Sequence, residues 1–158
     1  MRAAVLVVSD SAAAGEREDA GGPLLAKLLG DLGAEVTAVE VVPDTQAAIT
    51  TWLRRVCAAG DVDVVLTTGG TGFGPRDVTP EATSRVIERP APGIAEALRA
   101  VGLQHTPHAM LSRAVAGIAG HTLIVNMPGS PRALREQWEV LGAALPHAVE
   151  LLRGGQPH

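Results

Sequence analysis

Aromatic residues are nearly absent from this chain: of its 158 positions two are Trp, one is Phe and none is Tyr. A core for a domain of this size must therefore be aliphatic, drawn from an apolar share of 46% that is mostly Ala, Val, Leu and Ile. Cysteine is equally scarce. The single Cys57 excludes an intrachain disulfide framework and any CxxC-type zinc site, and no charged neighbour is placed to make it a nucleophile. No run approaches the roughly 18 uncharged apolar residues of a membrane span. The apolar start ends at Ser9-Asp10 without a cleavage-like segment, so it reads as a first strand and not as a signal peptide. Lys27 is the only lysine, and the other twelve of the thirteen basic residues are Arg. A net charge of −4 argues against general nucleic-acid binding but leaves small anions open, since backbone amides and a few arginines bind those locally. The expected location is the cytoplasm.

What is abundant is an alternation of apolar runs and helical stripes, punctuated by glycine. Arg2–Ser9 reads as a buried strand and Asp10–Asp19 as a polar, alanine-rich loop. Gly22–Leu32 follows as a helix with Leu24, Leu25, Leu28, Leu29 and Leu32 on one face, ended by Gly33. Glu35–Val42 is a second strand, and Asp44 or Thr45 caps a helix running to about Ala59. A third strand, Asp63–Thr68, feeds a glycine loop. Helices are expected at about Pro80–Ile87 and Gly93–Val101. Arg113–Ala119 and Thr122–Met127 read as strands joined by a tight Gly120-His121 turn, and Pro128-Gly129-Ser130-Pro131 opens a last helix. Strands separated by helical crossovers imply one α/β domain, a three-layer α/β/α sandwich with a mostly parallel sheet and a C-terminal β-hairpin. It is expected to span residues 1–153, with 154–158 as a short tail.

In such sheets ligands bind beyond the C-terminal strand ends. Four exits carry polar or glycine residues and suggest one shared pocket: Ser9-Asp10, Pro43-Asp44, Thr68-Gly69 and Pro128-Gly129. The stretch Thr67-Thr68-Gly69-Gly70-Thr71-Gly72, followed by Arg76-Asp77-Val78-Thr79-Pro80-Glu81, is the most informative. Glycines let backbone N–H groups converge on an anion, and a helix start at Thr79-Pro80, read as an N-cap with proline at the first helical position, adds partial positive charge. Asp77 would repel a phosphate unless a metal ion lay between them. Asp44 and Asp77 at neighbouring exits make a Mg2+ platform of the oxygen type that shares its metal with substrate phosphates. Each feature also has a plainer reading: Asp44 as a helix cap, the glycines as steric necessities, Pro128–Pro131 as a turn. No Gly-Lys-Ser/Thr follows, so this is not a Walker A loop. Ser112-Arg113 adds a hydroxyl and a guanidinium suited to phosphate. The five histidines show no metal-ligand spacing.

Taken together these blocks resemble the molybdopterin adenylyltransferase family of Mog/MoaB type, which includes the G domain of gephyrin. The likeness runs over nearly the whole chain, through Val8–Ser11, Val41–Asp44, Thr67–Gly72, Pro75–Thr83, Pro92-Gly93, Thr106-Pro107, Met110–Arg113, Ala116–Ile118 and Thr122–Ser130. The resemblance implies Mg-ATP-dependent adenylylation of molybdopterin with release of pyrophosphate. It implies Asp44 and Asp77 as catalytic, metal-holding acids. Ser9, Asp10, Thr68, Gly69, Gly70, Thr71, Gly72, Thr79, Ser112, Arg113, Pro128, Gly129 and Ser130 are the expected pterin and nucleotide contacts. It also implies a homotrimer and a molybdate-insertion enzyme downstream; charge and hydropathy, as above, leave no nucleic-acid or membrane partner expected. A catalytically silent pterin-binding or scaffold protein of the MoaB branch is the alternative.

Overall fold

A computed structural model describes residues 1–156. Its elements follow the order β1 (Arg2–Val8), α1 (Asp10–Ala13), α2 (Gly21–Asp31), β2 (Glu35–Val42), α3 (Gln46–Ala59), β3 (Val64–Thr68), α4 (Thr79–Ser84), β4 (Arg89–Pro90), α5 (Pro92–Leu103), a 3-10 turn (Pro107–Leu111), β5 (Ala116–Ala119), β6 (Thr122–Met127) and α6 (Pro131–Leu152). Six strands form one sheet in the order β2-β1-β3-β6-β5-β4. The four from β2 to β6 run parallel, while β5 pairs antiparallel with β6 and β4 with β5. β1, β3 and β6 are buried almost throughout, which accounts for their nearly uninterrupted apolar runs.

Two aliphatic cores cover the two faces of the sheet. Leu25 and Leu29 of α2, Leu98 of α5 and Leu134, Leu141, Leu145 and Val149 of α6 pack on one side. Ile49, Trp52 and Leu53 of α3 and Ala82 of α4 pack on the other. This is the expected three-layer α/β/α architecture. The hairpin is present, with Ala119 opposite Thr122, but β6 is an interior strand bound in parallel register to β3. No helix among the described residues is long and apolar enough to cross a membrane.

Several local expectations differ from the fold. The stretch read as loop from Asp10 opens with α1, because the Ser9 hydroxyl accepts from the Ala12 amide at 3.2 Å and starts a turn. Thr79 is not the cap of α4 but its first residue, capped by Val78 with no side-chain bond. α4 stops at Ser84, short of Ile87, as the chain turns so that Glu88 donates its amide to Ile118 of β5. β5 begins at Ala116 and not at Arg113, since the amides of Arg113, Ala114 and Val115 bond Thr71 O, Ser112 Oγ and Asn126 Oδ1. α6 ends at Leu152, and residues 157–158 of the expected tail lie outside the described residues.

Candidate functional site

The parallel strands β1, β3 and β6 lie side by side, so their C-terminal exits converge. The loops after β3 and β6 are fastened together: Thr68 Oγ1 donates to Pro128 O at 2.8 Å. Gly69, at φ +95°, passes so close to β1 that a Cβ there would overlap the Val8 carbonyl oxygen. These exits and the 17–21 loop enclose a cavity of about 420 Å³ lined by Ser9, Arg17, Gly21, Gly69 and Ser130, among others. Asp19 pins the wall by accepting from the Gly21 and Gly22 amides at 2.9 and 3.0 Å. The first residues of α2 and α6 stand in the lining; Asp19 already neutralises the start of α2, so α6 presents the open positive end. Ser130 Oγ accepts from the Ala133 amide at 3.1 Å and keeps its own proton as a donor. Arg17 and the Ser130 hydroxyl are donors for an anion here, in a lining that also holds the carboxylates of Glu18 and Asp19.

A second, acidic region lies outside that cavity lining, along the loop from Gly70. Thr79 donates its hydroxyl to Gly69 O at 2.9 Å and its amide to Gly70 O at 3.1 Å, which clamps α4 to the loop. Asp44 and Asp10 bond reciprocally: Asp10 N donates to Asp44 Oδ2 at 2.7 Å and Asp44 N to Asp10 Oδ1 at 2.9 Å. Arg76 grips Asp10 with two hydrogen bonds of 3.0 Å. That guanidinium, helped by the Asp44 amide, holds the Asp10 carboxyl below its ordinary range. Asp44 moves the other way: burial, then the charges of Asp10 and Asp77, push its carboxyl up against the lowering effect of the Asp10 amide. Asp77 Oδ2 accepts from the Gly74 amide at 2.9 Å.

Residues 4–147 match the family model described as a probable molybdopterin binding domain. The chain belongs to that family. It is 42% identical over 149 residues to the molybdenum cofactor synthesis protein cinnamon of Drosophila melanogaster, covering 94% of this chain but only 25% of that protein. To the molybdopterin adenylyltransferase of Helicobacter pylori strain J99 it is 40% identical over 152 residues, covering 95% of this chain and 86% of that one. The crystal structure of the molybdopterin biosynthesis enzyme MoaB from Thermus thermophilus superposes with a TM-score of 0.90 at 46% identity, over 97% of this chain and 96% of the other.

Within this probable molybdopterin binding domain the expected contacts divide between the two regions. Ser9, Thr68, Gly69, Gly129 and Ser130 line the cavity. Asp10, Asp44, Gly70, Gly72, Asp77 and Thr79 gather on the acidic side. A single shared pocket was the expectation; the cavity lining excludes Asp44 and Asp77, and the two regions meet along the Gly69-Gly70 backbone. Arg113 departs from its expected phosphate role. Its guanidinium donates to Gly72 O at 2.8 Å and Asp77 O at 2.6 Å and pairs with Glu81, while its amide donates to Thr71 O. It is a strap for the glycine loop. Its hydrogen bond to Glu81, and after that its charge, lower the Glu81 carboxyl. Ser112 lies beside it, its hydroxyl accepting from Ala114 N at 3.3 Å. Pro128 presents its carbonyl to Thr68.

Three contributors lay beyond the sequence reading of the site. Arg76 stood in the glycine-loop motif, yet its partner Asp10 is 66 residues away. Asp19 falls in the expected loop, yet an acid two residues before a glycine pair at a helix start is a capping signal. Asn126, buried in β6, donates to Thr67 Oγ1 at 3.0 Å and Thr83 Oγ1 at 2.9 Å, and so locks β3 and α4 beneath the glycine loop.

Proposed function

We propose that this protein acts in molybdenum cofactor biosynthesis by transferring the adenylyl group of ATP to the terminal phosphate of molybdopterin. A phosphate oxygen of the pterin forms a bond to the α-phosphorus, the bond from that phosphorus to the α,β-bridging oxygen breaks, and pyrophosphate leaves. The observation that carries the reading is the junction at Gly69-Gly70, where a cavity suited to an anion adjoins a surface bearing two carboxylates. Two polyanionic substrates need such a pair of neighbouring subsites, each neutralised differently. The activity for which the Helicobacter relative is named supports the same assignment.

The residues present fit a magnesium ion. Among the described residues Oδ1 of Asp44 and Oδ1 of Asp77 accept no hydrogen bond, while each Oδ2 is held by a backbone amide. An all-oxygen donor set matches Mg2+, which takes one or two carboxylates and completes its shell with phosphate and water. The raised carboxyl of Asp44, a group pushed up by burial and by like charge, is the kind that a bound cation relieves. Bound there, Mg2+ supplies neutralisation of the triphosphate charge. The chain's own part is positioning: the glycine loop and the start of α6 offer N–H groups to phosphate, and Arg113 holds the loop still. Among the described residues no protein nucleophile is required, since each bond change occurs between the substrates. The reading includes Mg2+, a homotrimer, a cytoplasmic location and a molybdate-insertion enzyme that receives the product.

Asp77→Asn tests it. The substitution keeps the shape of the side chain but removes the charge that holds the metal. Pyrophosphate release should fall on the order of 100- to 1000-fold while molybdopterin binding persists. Full turnover in the variant, with Mg2+ still required, would place the metal elsewhere. A wild-type protein that binds pterin but never turns over ATP would instead be the silent binding module.

A further inference from the structure

Phe73 is the chain's only phenylalanine, and at 69% exposure it stands in water at the head of the glycine loop. Its backbone is not loose. On one side Gly72 O accepts from Arg113 Nε at 2.8 Å; on the other the Gly74 amide donates to Asp77 Oδ2 at 2.9 Å. The loop closes on itself through Asp77 N to Gly74 O at 3.0 Å, and Arg113 also binds Asp77 O at 2.6 Å. The positions of absent Cβ atoms on Gly72 and Gly74 are 3.0 and 2.9 Å from Asp77 Oδ2, so both neighbours of Phe73 rest on that carboxylate. A benzyl group is thus displayed at a fixed point beside Asp77, with no side chain on either neighbouring residue to crowd its ring faces.

We propose that Phe73 is a binding and specificity residue whose ring stacks on the fused nitrogen heterocycle of the substrate held at Asp77. The proposal rests on the adenylyl-transfer reading. Adenine and pterin are both flat bicyclic heterocycles carried on a phosphate, and stacking on an aromatic side chain recognises that shared chemistry without hydrogen bonds to the ring edge. The anchoring favours a small ligand: the atoms that fix the backbone on both sides of Phe73 are the Asp77 carboxylate and its straps, which places the residue in the same short loop as that carboxylate. Met110 and Leu111 are also exposed on the segment joined to this loop through Arg113, and a protein partner seated on all three is the competing occupant.

The experiment measures binding of Mg-ATP, of molybdopterin and of Mg-tripolyphosphate to the wild type, Phe73→Ala and Phe73→Trp. Removing one base-stacking contact should weaken either ATP or pterin about tenfold or more in Phe73→Ala, and Trp should restore it. The arm that weakens names the heterocycle. Tripolyphosphate, which has no ring, should bind all three proteins alike. Unchanged binding of both ring-bearing ligands would overturn the proposal and leave the protein-docking reading. An equal loss for tripolyphosphate would also overturn it, because the change would then have deformed the loop. A wild type that binds neither ATP nor pterin would sink the adenylyl-transfer reading itself, and this proposal with it.

Discussion

Gly70 holds φ +68°, and a methyl group there would overlap Thr79 Oγ1 and stand 3.2 Å from Asp44 Oδ1. Gly33 has a similar backbone, φ +89°, but open space around it. The pair separates conformational strain from packing. Gly33→Ala should cost about 1 kcal/mol for a left-handed alanine, while Gly70→Ala adds the lost Thr79 hydroxyl bond to Gly69 and should cost about 2 to 3 kcal/mol. Urea unfolding of the two variants checks this; equal losses would mean that the loop relaxes around the methyl. Gly70 was legible as a loop glycine because only glycine follows that conformation freely. The sequence offers Asp44 and Asp77 as acids at strand exits, and in the fold each also has a structural partner, since its Oδ2 accepts from a backbone amide. A guanidinium suits backbone carbonyls as well as phosphate, and in the fold Arg113 meets Gly72 O and Asp77 O. Arg76 was missed as a site residue because its partner, Asp10, comes from a different strand exit.

At the scale of elements, the start of β3 is tied to two others through Asp63, which accepts from Arg2 N of β1 at 2.6 Å and from Arg153 at the end of α6 at 3.0 and 2.5 Å. Burial alone would raise this carboxyl, but the Arg153 hydrogen bond and the Arg2 amide outweigh it and the net shift is downward. A carboxyl held lower in the folded state than in the unfolded chain contributes stability above its unfolded value, near 3.9, and loses it as pH falls through the folded value. Asp63→Asn should therefore be less stable than the wild type by about 1 kcal/mol from pH 5 to 7, a figure discounted for the exposed Arg153, and the gap should close below about pH 4. Unfolding free energies of the two proteins across that range measure it; a gap independent of pH would mean that the charge is irrelevant. This clamp spans 61 and 90 residues, which is why no local pattern announced it. Helix faces and buried strands were legible from periodicity, and β2 falls on the expected Glu35–Val42. The two-residue β4 and the four-residue α1 were not, because β4 depends on distant bonds to β5 and α1 is a single turn opened by the Ser9 cap.

Across the whole molecule, alternation of strands and helices implied the layered sheet, yet the place of β6 between β3 and β5 could not be read from it. Interior side-chain chemistry agrees with that position: Asn126 of β6 bonds Thr67 of β3 and Thr83 of α4. Assembly is the remaining step at this scale. Edge strand β2 keeps Val39 and Val41 about two-fifths exposed, and Leu103, Met110, Leu111 and Leu151 are exposed elsewhere, so apolar surface remains that association would remove from water. The expected assembly is a closed cyclic trimer, whose surfaces are all used without leading to open-ended growth. Sedimentation equilibrium at micromolar concentration should then return three times the chain mass. Because unfolding would release three chains, the thermal midpoint should also climb as protein concentration rises, by mass action. A monomer cannot show that dependence. A single-chain mass with a concentration-independent midpoint would overturn the trimer while leaving the two neighbouring subsites, both contained within one chain, intact.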